Sequence, residues 1–335
     1  MFYVLRKLFK SFNGLGKKVI QTTAIWKTVW NRSATQADQC NLLTASVLAT
    51  EKVNFALNTN QMFIDCTDSI LGDCNCADRQ LAYGLDQWAA KIPGVDPAGN
   101  QGIAIGDVNG DGLDDIYLCQ GHGMPNRLFV QKRDGTVVDR SQDSRVDLLD
   151  ESRSALLVDL DNDSDQDLIV STRDHLVVLS NHGKGDFEIE TKLPLADNGL
   201  SLTAADYDSD GDLDIFLCRY STKTDTNQLF GVTENLTPAQ NILLRNDEAF
   251  QFTDVTRASG LADQAAQFSR SSAWLDIDAD GDLDLYVTNE NGSDQCFKNQ
   301  DGKFADASET FGLAASKSQR SVSIGDFNSD GLPDL

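Results

Sequence analysis

The chain has 335 residues, of which 52 are Asp or Glu and 28 are Lys or Arg, and its formal net charge is −24. This acidic balance excludes a nucleic-acid-binding role, because phosphates require a basic surface. Hydrophobic residues make up 40% of the chain, which is enough for a sizeable core at this length.

Residues 1–85 are predicted to form an N-terminal basic and polar extension. The first 32 residues contain seven basic side chains and no acidic one. Leu5, Leu8, Phe9 and Phe12 lie at helical spacing, which favours a basic amphipathic helix in contact with a membrane surface. The other interpretation, which we prefer, is an extension with little regular order.

The chain contains seven cysteines, so at least one is expected to be unpaired within the chain. Cys40, Cys66, Cys74 and Cys76 lie near one another in sequence, and their spacing leaves three interpretations open: a disulfide, free thiols or a metal site. The remaining cysteines lie in predicted strands and are expected to be small buried hydrophobic residues. They are Cys119, Cys218 and Cys296.

Five acidic nonapeptides with the pattern D-x-[DN]-x-D-x-x-x-D dominate the rest of the chain. Numbered loops 1 to 5, they are residues 107–115, 159–167, 206–214, 276–284 and 326–334. Carboxylates this close together repel one another unless a hard cation lies among them, and oxygen atoms on alternate residues of a tight loop suit Ca²⁺. The sequence therefore predicts one calcium site per loop.

Loop 3 illustrates the predicted coordination. Asp206, Asp208 and Asp210 alternate along the chain, so a curled backbone can direct all three side chains to one centre. Gly211 is expected to supply a left-handed turn, and Asp214 to complete the coordination. In loop 2 Ser164 replaces this glycine, so the backbone there must adopt a strained left-handed conformation or another turn, and we rank that site weakest.

The seventh loop residue is expected to contribute its backbone carbonyl, since it is Leu113 in loop 1 and Leu332 in loop 5. An EF-hand would need Glu at the twelfth position, where loops 1 to 4 have Leu118, Val170, Leu217 and Val287. The flanking segments are short and rich in β-branched and aromatic residues. Each loop is therefore predicted to join two strands.

The loops recur at intervals of 52, 47, 70 and 50 residues, a period typical of a propeller blade. The long interval contains a polar insertion at residues 219–240. A second hairpin follows three of the strand pairs, at residues 126–139, 241–255 and 294–307, and two of these turn at Asp-Gly dipeptides. Two hairpins per period predict an all-β propeller of four-stranded blades over residues 86–335.

The phrases FTDVTRASGL at 252–261, FADASETFGL at 304–313, WLDIDADGDLDLYVTN at 274–289 and SIGDFNSDGLPDL at 323–335 resemble FG-GAP/VCBS-type repeat proteins. Their fold is the integrin-α-like β-propeller of about seven blades. The likeness favours the branch that includes cartilage acidic protein and carries a C-terminal ASPIC/UnbV segment. This chain would cover about four to five of those blades.

The resemblance implies calcium ligands at loop positions one, three, five, seven and nine. These are Asp107, Asn109, Asp111, Leu113 and Asp115; Asp159, Asp161, Asp163, Asp165 and Asp167; Asp206, Asp208, Asp210, Asp212 and Asp214; Asp276, Asp278, Asp280, Asp282 and Asp284; and Asp326, Asn328, Asp330, Leu332 and Asp334. Five Ca²⁺ ions would change the net charge from −24 to about −14 and so relieve self-repulsion.

The sequence predicts an extracellular, cell-surface or periplasmic protein, although the longest apolar run near the start, MFYVL, is too short for a secretory leader. We expect a fragment whose missing blades follow Leu335. An upstream start, an unusual leader or a fragment boundary would explain why no export signal is visible.

Catalytic motifs are absent from the sequence. Its three histidines show no H-E-x-x-H spacing, and no G-x-S-x-G is present. We therefore predict a non-enzymatic module that binds a protein or glycan ligand. The alternatives are a carbohydrate-active lyase or dehydratase with its active site outside the repeats, and a purely structural adhesion module.

Overall fold

The computed structural model describes two units of the chain, Met1–Cys66 and Thr67–Leu335. Of the first unit it describes residues 65–66 and the backbone of 4–12, 18–32 and 40–56. Of the second it describes residues 67–71, 74, 102–121, 123–195, 199–220, 237–248, 250–263, 266–290, 292–312, 319–328 and 333–335. The predicted boundary at residue 85 lies outside the described residues.

The first unit contains a three-stranded antiparallel sheet in the order β1-β2-β3. Its strands are β1 (Val4–Phe12), β2 (Lys18–Arg32) and β3 (Cys40–Ala56). The helical interpretation of residues 5–12 is wrong, because these residues pair along their whole length with β2. Residues 18–32 are rich in Val, Ile and Thr, which favour strands, so pairing with β2 overrides the helical spacing.

The second unit begins with α1 (Thr67–Leu71), a helix of five residues. Ile70, Leu71 and Cys74 pack against Phe129 and Val137 of the first repeat sheet. Part of the predicted extension thus belongs to the repeat unit. Within the described ranges no helix has the length and apolar character needed to cross a membrane.

Among the described residues, four four-stranded antiparallel sheets follow, each with its strands in sequential order. Sheet 1 contains β4 (Ile103–Gly106), β5 (Asp115–Leu118), β6 (Arg127–Gln131) and β7 (Val137–Asp139). Sheet 2 contains β8 (Ser152–Val158), β9 (Asp167–Thr172), β10 (His175–Asn181) and β11 (Phe187–Pro194). Sheet 3 contains β12 (Gly199–Ala205), β13 (Asp214–Arg219), β14 (Ile242–Asn246) and β15 (Phe252–Asp254). Sheet 4 contains β16 (Phe268–Leu275), β17 (Asp284–Glu290), β18 (Gln295–Gln300) and β19 (Lys303–Asp306).

These sheets are β-propeller blades. The first strands of consecutive sheets, β4, β8, β12 and β16, contact one another, as the innermost strands of neighbouring blades do. Apolar clusters join sheets 1 and 2, sheets 2 and 3, and sheets 3 and 4. The second strands β9 and β13 are buried along their whole length, because neighbouring sheets cover both of their faces. In the fifth repeat, Gly325 and Asp334 form an antiparallel bridge.

The predicted hairpins are confirmed at β6–β7, β14–β15 and β18–β19. Asp301 and Gly302 have φ values of 51° and 76°, so this Asp-Gly pair forms the tight turn that the sequence predicts. Residues 221–236, the greater part of the insertion, lie outside the described residues, as does His122.

The expectation of buried cysteine thiols in the strands is confirmed. Cys119, Cys218 and Cys296 are free thiols with 0% exposure, and burial raises the pKa of each to about 12. Cys74 is a buried free thiol as well, while Cys66 is exposed. The side chain of Cys40 and the whole of Cys76 lie outside the described residues.

Candidate metal sites in the acidic loops

Each of loops 1 to 4 connects the first strand of a sheet to the second, so the four loops lie at the same end of their blades. The fourth loop residue has a positive φ in all four, at Gly110, Asn162, Ser209 and Ala279. The sixth residue does too, with φ of 86° at Gly112 and 99° at both Gly211 and Gly281. Two left-handed residues per loop curl the backbone around a common centre.

Ser164 occupies the sixth position of loop 2 with φ of 80°. Of the two alternatives that the sequence leaves open there, the structure shows the strained left-handed backbone. The Ser164 amide donates to Asp159 Oδ2 at 3.0 Å, as Gly211 and Gly281 donate to the first aspartates of their loops. Loop 2 therefore keeps the shape of the other loops despite the missing glycine.

The first aspartate organises the loop by accepting backbone hydrogen bonds with both oxygens. In loop 3, Asp206 Oδ1 accepts from Asp210 N at 3.1 Å and Oδ2 accepts from Gly211 N at 3.1 Å. Loops 1 and 4 repeat this pattern. The fifth residue then accepts from the amide of the seventh, as Asp210 Oδ1 does from Asp212 N at 3.0 Å.

The ninth aspartate is fully buried in loops 1 to 4 and anchors the loop to its sheet. In loop 3, Asp214 Oδ2 accepts from Tyr207 N at 3.1 Å, and Oδ1 accepts from Asn246 N at 3.0 Å on the third strand. The ninth aspartates of loops 1, 2 and 4 do the same. The sequence predicts this residue as a metal ligand, and the structure adds a bracing role.

Three of the loops bring carboxylate oxygens of three residues within 4.8 Å of one another. The groups are Asp159, Asp161 and Asp167 in loop 2; Asp206, Asp208 and Asp210 in loop 3; and Asp276, Asp278 and Asp284 in loop 4. Asp159 Oδ1 and Asp208 Oδ1 are buried, and neither accepts a hydrogen bond from the residues that the structure describes. Buried carboxylate oxygens without a partner are costly, and a cation at the loop centre would satisfy them.

The pKa values of several loop aspartates are raised by burial and by the neighbouring carboxylates. Burial, opposed by backbone hydrogen bonds and reinforced by neighbouring aspartates, raises the pKa of both Asp167 and Asp214 to about 7. Burial and the nearby Asp210 also raise the pKa of Asp208. Without a cation, the loops thus contain carboxyl groups that resist ionisation near neutral pH.

The aspartates of loop 4 are contacted by a positively charged side chain from the same blade. Lys298 on β18 forms ion pairs with Asp278 and, at 3.1 Å, with Asp280. A hydrogen bond from Asp282 N and then the bond from Lys298 lower the pKa of Asp280. The ammonium group therefore compensates part of the carboxylate charge that a metal ion would neutralise.

The seventh residue directs its side chain to neighbouring groups in loops 3 and 4. Asp212 Oδ1 accepts from Asn162 Nδ2 of loop 2 at 2.6 Å, and Asp282 Oδ2 accepts from Asp301 N at 3.1 Å. This agrees with a carbonyl contribution from the seventh position, where Leu113 occurs in loop 1.

Loops 1 and 5 differ in their third residue, which is asparagine. Asn109 Oδ1 accepts from Asp111 N at 2.9 Å, so it takes part in the same local turn. In loop 5, Asp334 Oδ2 accepts from Phe327 N at 2.8 Å, which repeats the bracing bond of the other ninth aspartates. Asp330 and Leu332 lie outside the described residues.

Asparagines at the end of the third strand form a set of contacts that the sequence motifs do not predict. Asn181, Asn246 and Asn299 donate their side-chain amides to the second loop residue of the preceding repeat, at the carbonyls of Val108, Leu160 and Tyr207. These bonds measure 2.9, 2.8 and 2.8 Å. The sequence does contain a signal for them: in the repeats of loops 2 and 4, which lack the insertion, an Asn follows the ninth aspartate after fourteen or fifteen residues. Loops 1, 2 and 3 are thus each bonded to the next blade.

The donor set fits a calcium ion. It consists of carboxylate, amide and carbonyl oxygens on a curled loop, the ligands and flexible geometry that Ca²⁺ prefers. Asp159, Asp161, Asp206, Asp208, Asp276 and Asp278 would supply side-chain oxygens in loops 2 to 4. A bound ion would neutralise the clustered charge and hold the first and second strands of the blade at fixed spacing.

Two solved structures similar to this chain are a biofilm matrix protein, Bap1 of V. cholerae, and an Agrocybe aegerita lectin that recognises non-reducing terminal N-acetylglucosamine. Bap1 is 15% identical with a TM-score of 0.34, and the match covers 62% of this chain and 31% of Bap1. The lectin is 14% identical with a TM-score of 0.38, and the match covers 90% of this chain and 64% of the lectin. This chain therefore spans less than two thirds of either protein. No curated protein matches it significantly.

The FG-GAP-like repeat family matches residues 107–170, 159–217 and 276–335. The three matches start at the first aspartates of loops 1, 2 and 4, and together they cover just over half of the chain. Since the matched segments contain the loops and strands of the blades described above, the chain belongs to the FG-GAP-like repeat family.

Proposed function

We propose that this chain is a calcium-stabilised, non-enzymatic propeller module that binds a protein or glycan ligand outside the cytoplasm. The observation that supports it most strongly is the pair of buried carboxylate oxygens without partners, Asp159 Oδ1 and Asp208 Oδ1, within groups of carboxylates less than 4.8 Å apart. Asp159 is the first residue of loop 2 and Asp208 is the third residue of loop 3, so each lies at a predicted ligand position of its own repeat. A repeated structural ion explains both.

The affinity expected of such loops supports an extracytoplasmic location. Calcium sites in extracellular modules commonly have dissociation constants of about 10⁻⁴ to 10⁻³ M, and such sites fill only where calcium is abundant. The last predicted ligand in these loops is the aspartate at position nine, and the bidentate Glu that an EF-hand has at position twelve is replaced by Leu or Val in loops 1 to 4, which favours modest affinity. A cell-surface, periplasmic or extracellular location is therefore part of the proposal.

The repetition of the acidic clusters supports a non-enzymatic role for them. A catalytic centre is normally built once, whereas loops 2, 3 and 4 each contain an aspartate group. We therefore place ligand binding away from the loops, at the opposite end of the blades. Incubation with polysaccharides and analysis of the products tests the alternative of a lyase or dehydratase.

Thermal unfolding in millimolar Ca²⁺ and in excess chelator tests the calcium part of the proposal. A ligand that binds only folded protein adds about 2.7 kcal/mol per site at a hundredfold excess over its dissociation constant, so the unfolding midpoint should rise by tens of degrees. An unchanged midpoint contradicts the proposal.

A matched pair of variants assigns the effect to the loops. Asp208→Asn should remove one calcium ion from the bound stoichiometry, because its oxygen faces the cluster. Asp212→Asn carries the same change in charge, but its side chain bonds Asn162 and its predicted ligand is the carbonyl, so the stoichiometry should stay the same. Equal losses in both variants would contradict the ligand assignment.

A further inference from the structure

Sheet 3 contains a cavity of about 370 Å³ that the acidic loops do not explain. Arg219, Gln240, Asp254, Thr256 and Arg257 are among the residues that line it. Arg219 ends strand β13, whose first residue is the ninth aspartate of loop 3. At about 3.3 Å per residue, the cavity lies roughly 17 Å from that aspartate, at the other end of the blade.

Arg219 distinguishes sheet 3 from its neighbours. It is the sixth residue counted from the ninth aspartate of the loop, and the equivalent residues in sheets 1, 2 and 4 are Gln120, Thr172 and Asn289. A cationic side chain therefore appears at this position in only one of the four described sheets.

Arg257 is a second departure from the repeat. In sheets 1, 3 and 4 an Asp-x-Ser/Thr turn ends the fourth strand, with the aspartate accepting from both the amide and the hydroxyl of the Ser or Thr. The residue after this turn is Gln142 in sheet 1, Glu309 in sheet 4 and Arg257 in sheet 3. Arg257 is exposed and forms no ion pair with any described residue.

Asp254 is also in a different setting from its counterpart in sheet 1. There, Arg127 lies opposite Leu118 and pairs with Asp139 at 2.9 Å. The residue at the position of Arg127 in sheet 3 is Ile242, opposite Leu217. Both hydrogen bonds that the Asp254 carboxylate accepts go to Oδ1, so its Oδ2 accepts none from the described part of the chain, and Asp254 is one of the residues that line the cavity.

Several of the lining groups are held in place before any ligand binds. Thr256 Oγ1 donates to Asp254 Oδ1 at 2.6 Å and accepts from Leu243 N at 3.0 Å. Gln240 Nε2 donates to Leu261 O at 3.1 Å, which leaves its Oε1 available. Fixed polar groups around a cavity of this size are typical of a small-ligand site.

We propose that this cavity binds an acidic sugar unit through its carboxylate. Arg257, together with the positive charge of Arg219, would hold the carboxylate, since guanidinium groups match carboxylate geometry. Asp254 and Gln240 would accept hydrogen bonds from sugar hydroxyls. Six of the eight residues that line the cavity are polar or charged, which favours a sugar with many hydroxyl groups over the apolar anchors of a peptide. The proposal rests on the proposed ligand-binding function and specifies the ligand class.

Isothermal titration of the calcium-loaded chain with digalacturonate tests this site. Binding should be saturable, and the dimethyl ester of digalacturonate, which has the same rings without the charges, should bind at least 10-fold more weakly. Arg257→Gln should also weaken digalacturonate binding about 10-fold, because a charge-assisted hydrogen bond is lost. Arg133→Gln, an exposed arginine on the β6–β7 turn, serves as the matched control and should bind like the wild type.

Three results would overturn the proposal: no digalacturonate binding at 10 mM, equal binding of the ester, or unchanged affinity in Arg257→Gln. Equal binding of hexa-aspartate would indicate an acidic peptide instead of a sugar. A neutral-glycan array and a cell-attachment assay on the same protein distinguish failure of the acidic-sugar site from failure of the proposed ligand-binding function. Binding there without digalacturonate binding contradicts the acidic-sugar site alone, and no binding in any assay contradicts the proposed function too.

Discussion

Asn246 Nδ2 donates a hydrogen bond of 2.8 Å to the main-chain carbonyl of Leu160, a residue 86 positions earlier in the chain. Leu160 is the second residue of loop 2, and its amide donates to Asp167 at 2.9 Å. The main-chain N–H of Asn246 donates to Asp214, the ninth residue of loop 3. The main chain of Leu160 thus connects the bracing aspartate of one blade with the third strand of the next.

Asn246→Ala should destabilise the protein by about 1–3 kcal/mol, because it leaves the buried Leu160 carbonyl without its partner. Chemical denaturation in calcium measures the loss. Gln131→Ala is the matched control, since Gln131 occupies the equivalent place in sheet 1 and its amide likewise donates to the ninth aspartate. We expect the control to change stability by less than about 0.5 kcal/mol. Equal effects at both positions would remove the special role of the bond between blades.

Loop 2 should gain stability when its sixth residue becomes glycine. Ser164→Gly removes the steric cost of a side chain at φ of 80°, about 1 kcal/mol. The reverse change, Gly211→Ser, should cost a similar amount in loop 3. A Cβ at Gly211 meets no atom within 4 Å, so only its φ of 99° opposes the substitution. Denaturation of both variants in chelator measures whether Ser164→Gly raises the free energy of unfolding and Gly211→Ser lowers it. A loss of stability in Ser164→Gly contradicts the prediction.

Lys298→Ala should strengthen calcium binding at loop 4 several-fold. The ammonium group pairs with Asp278 and Asp280, and a metal ion must compete with it for these carboxylates. Removing the lysine should also lower the unfolding midpoint in chelator, because the ammonium group compensates the carboxylate charge of loop 4 when no metal ion is bound. Lys303→Ala is the control, because Lys303 donates to Ala258 O away from the cluster. Calcium titration followed by calorimetry distinguishes them, and unchanged affinity in Lys298→Ala would show that the ammonium group does not compete.

The calcium-free protein should lose stability as pH rises through about 7. Burial raises the pKa of Asp214 to about 7, so the folded chain binds this proton more tightly than the unfolded chain, where the pKa is about 4. The stabilising contribution is full below about pH 4 and disappears as pH rises past 7. Asp167 has the same shift and the same sign.

Unfolding midpoints between pH 5 and pH 8 in chelator measure this dependence. Asp214→Asn should reduce the slope, while Asp301→Asn, at an exposed turn, should leave it unchanged. In millimolar Ca²⁺ the slope should reverse, because protonated carboxyls release the metal. Equal slopes for the wild type and Asp214→Asn would contradict the prediction.

The sequence by itself determined the repeat architecture. Aspartates on alternate residues, glycine at the sixth position and β-type flanks specify a loop between two strands, and their period specifies four-stranded blades. The features of each loop are local, since they depend on backbone preferences and charges within about nine residues, whereas the period belongs to the whole repeat. The same locality explains why a left-handed Ser164 is one of the two alternatives that the sequence predicts, because a side chain at that turn is costly wherever the loop lies. The finer likeness to the cartilage acidic protein branch stays a prediction.

Tertiary structure decided what residues far apart in sequence do together. The N-terminal segment 4–12 has helical spacing, yet pairing with β2 makes it a strand, because long-range hydrogen bonds outweigh a weak local preference. The contact of Asn246 with Leu160, the approach of Lys298 to loop 4, and the cavity that contains both Arg219 and Arg257 depend on how strands and blades align. Sequence spacing specifies each loop, but only packing between and across strands places these side chains.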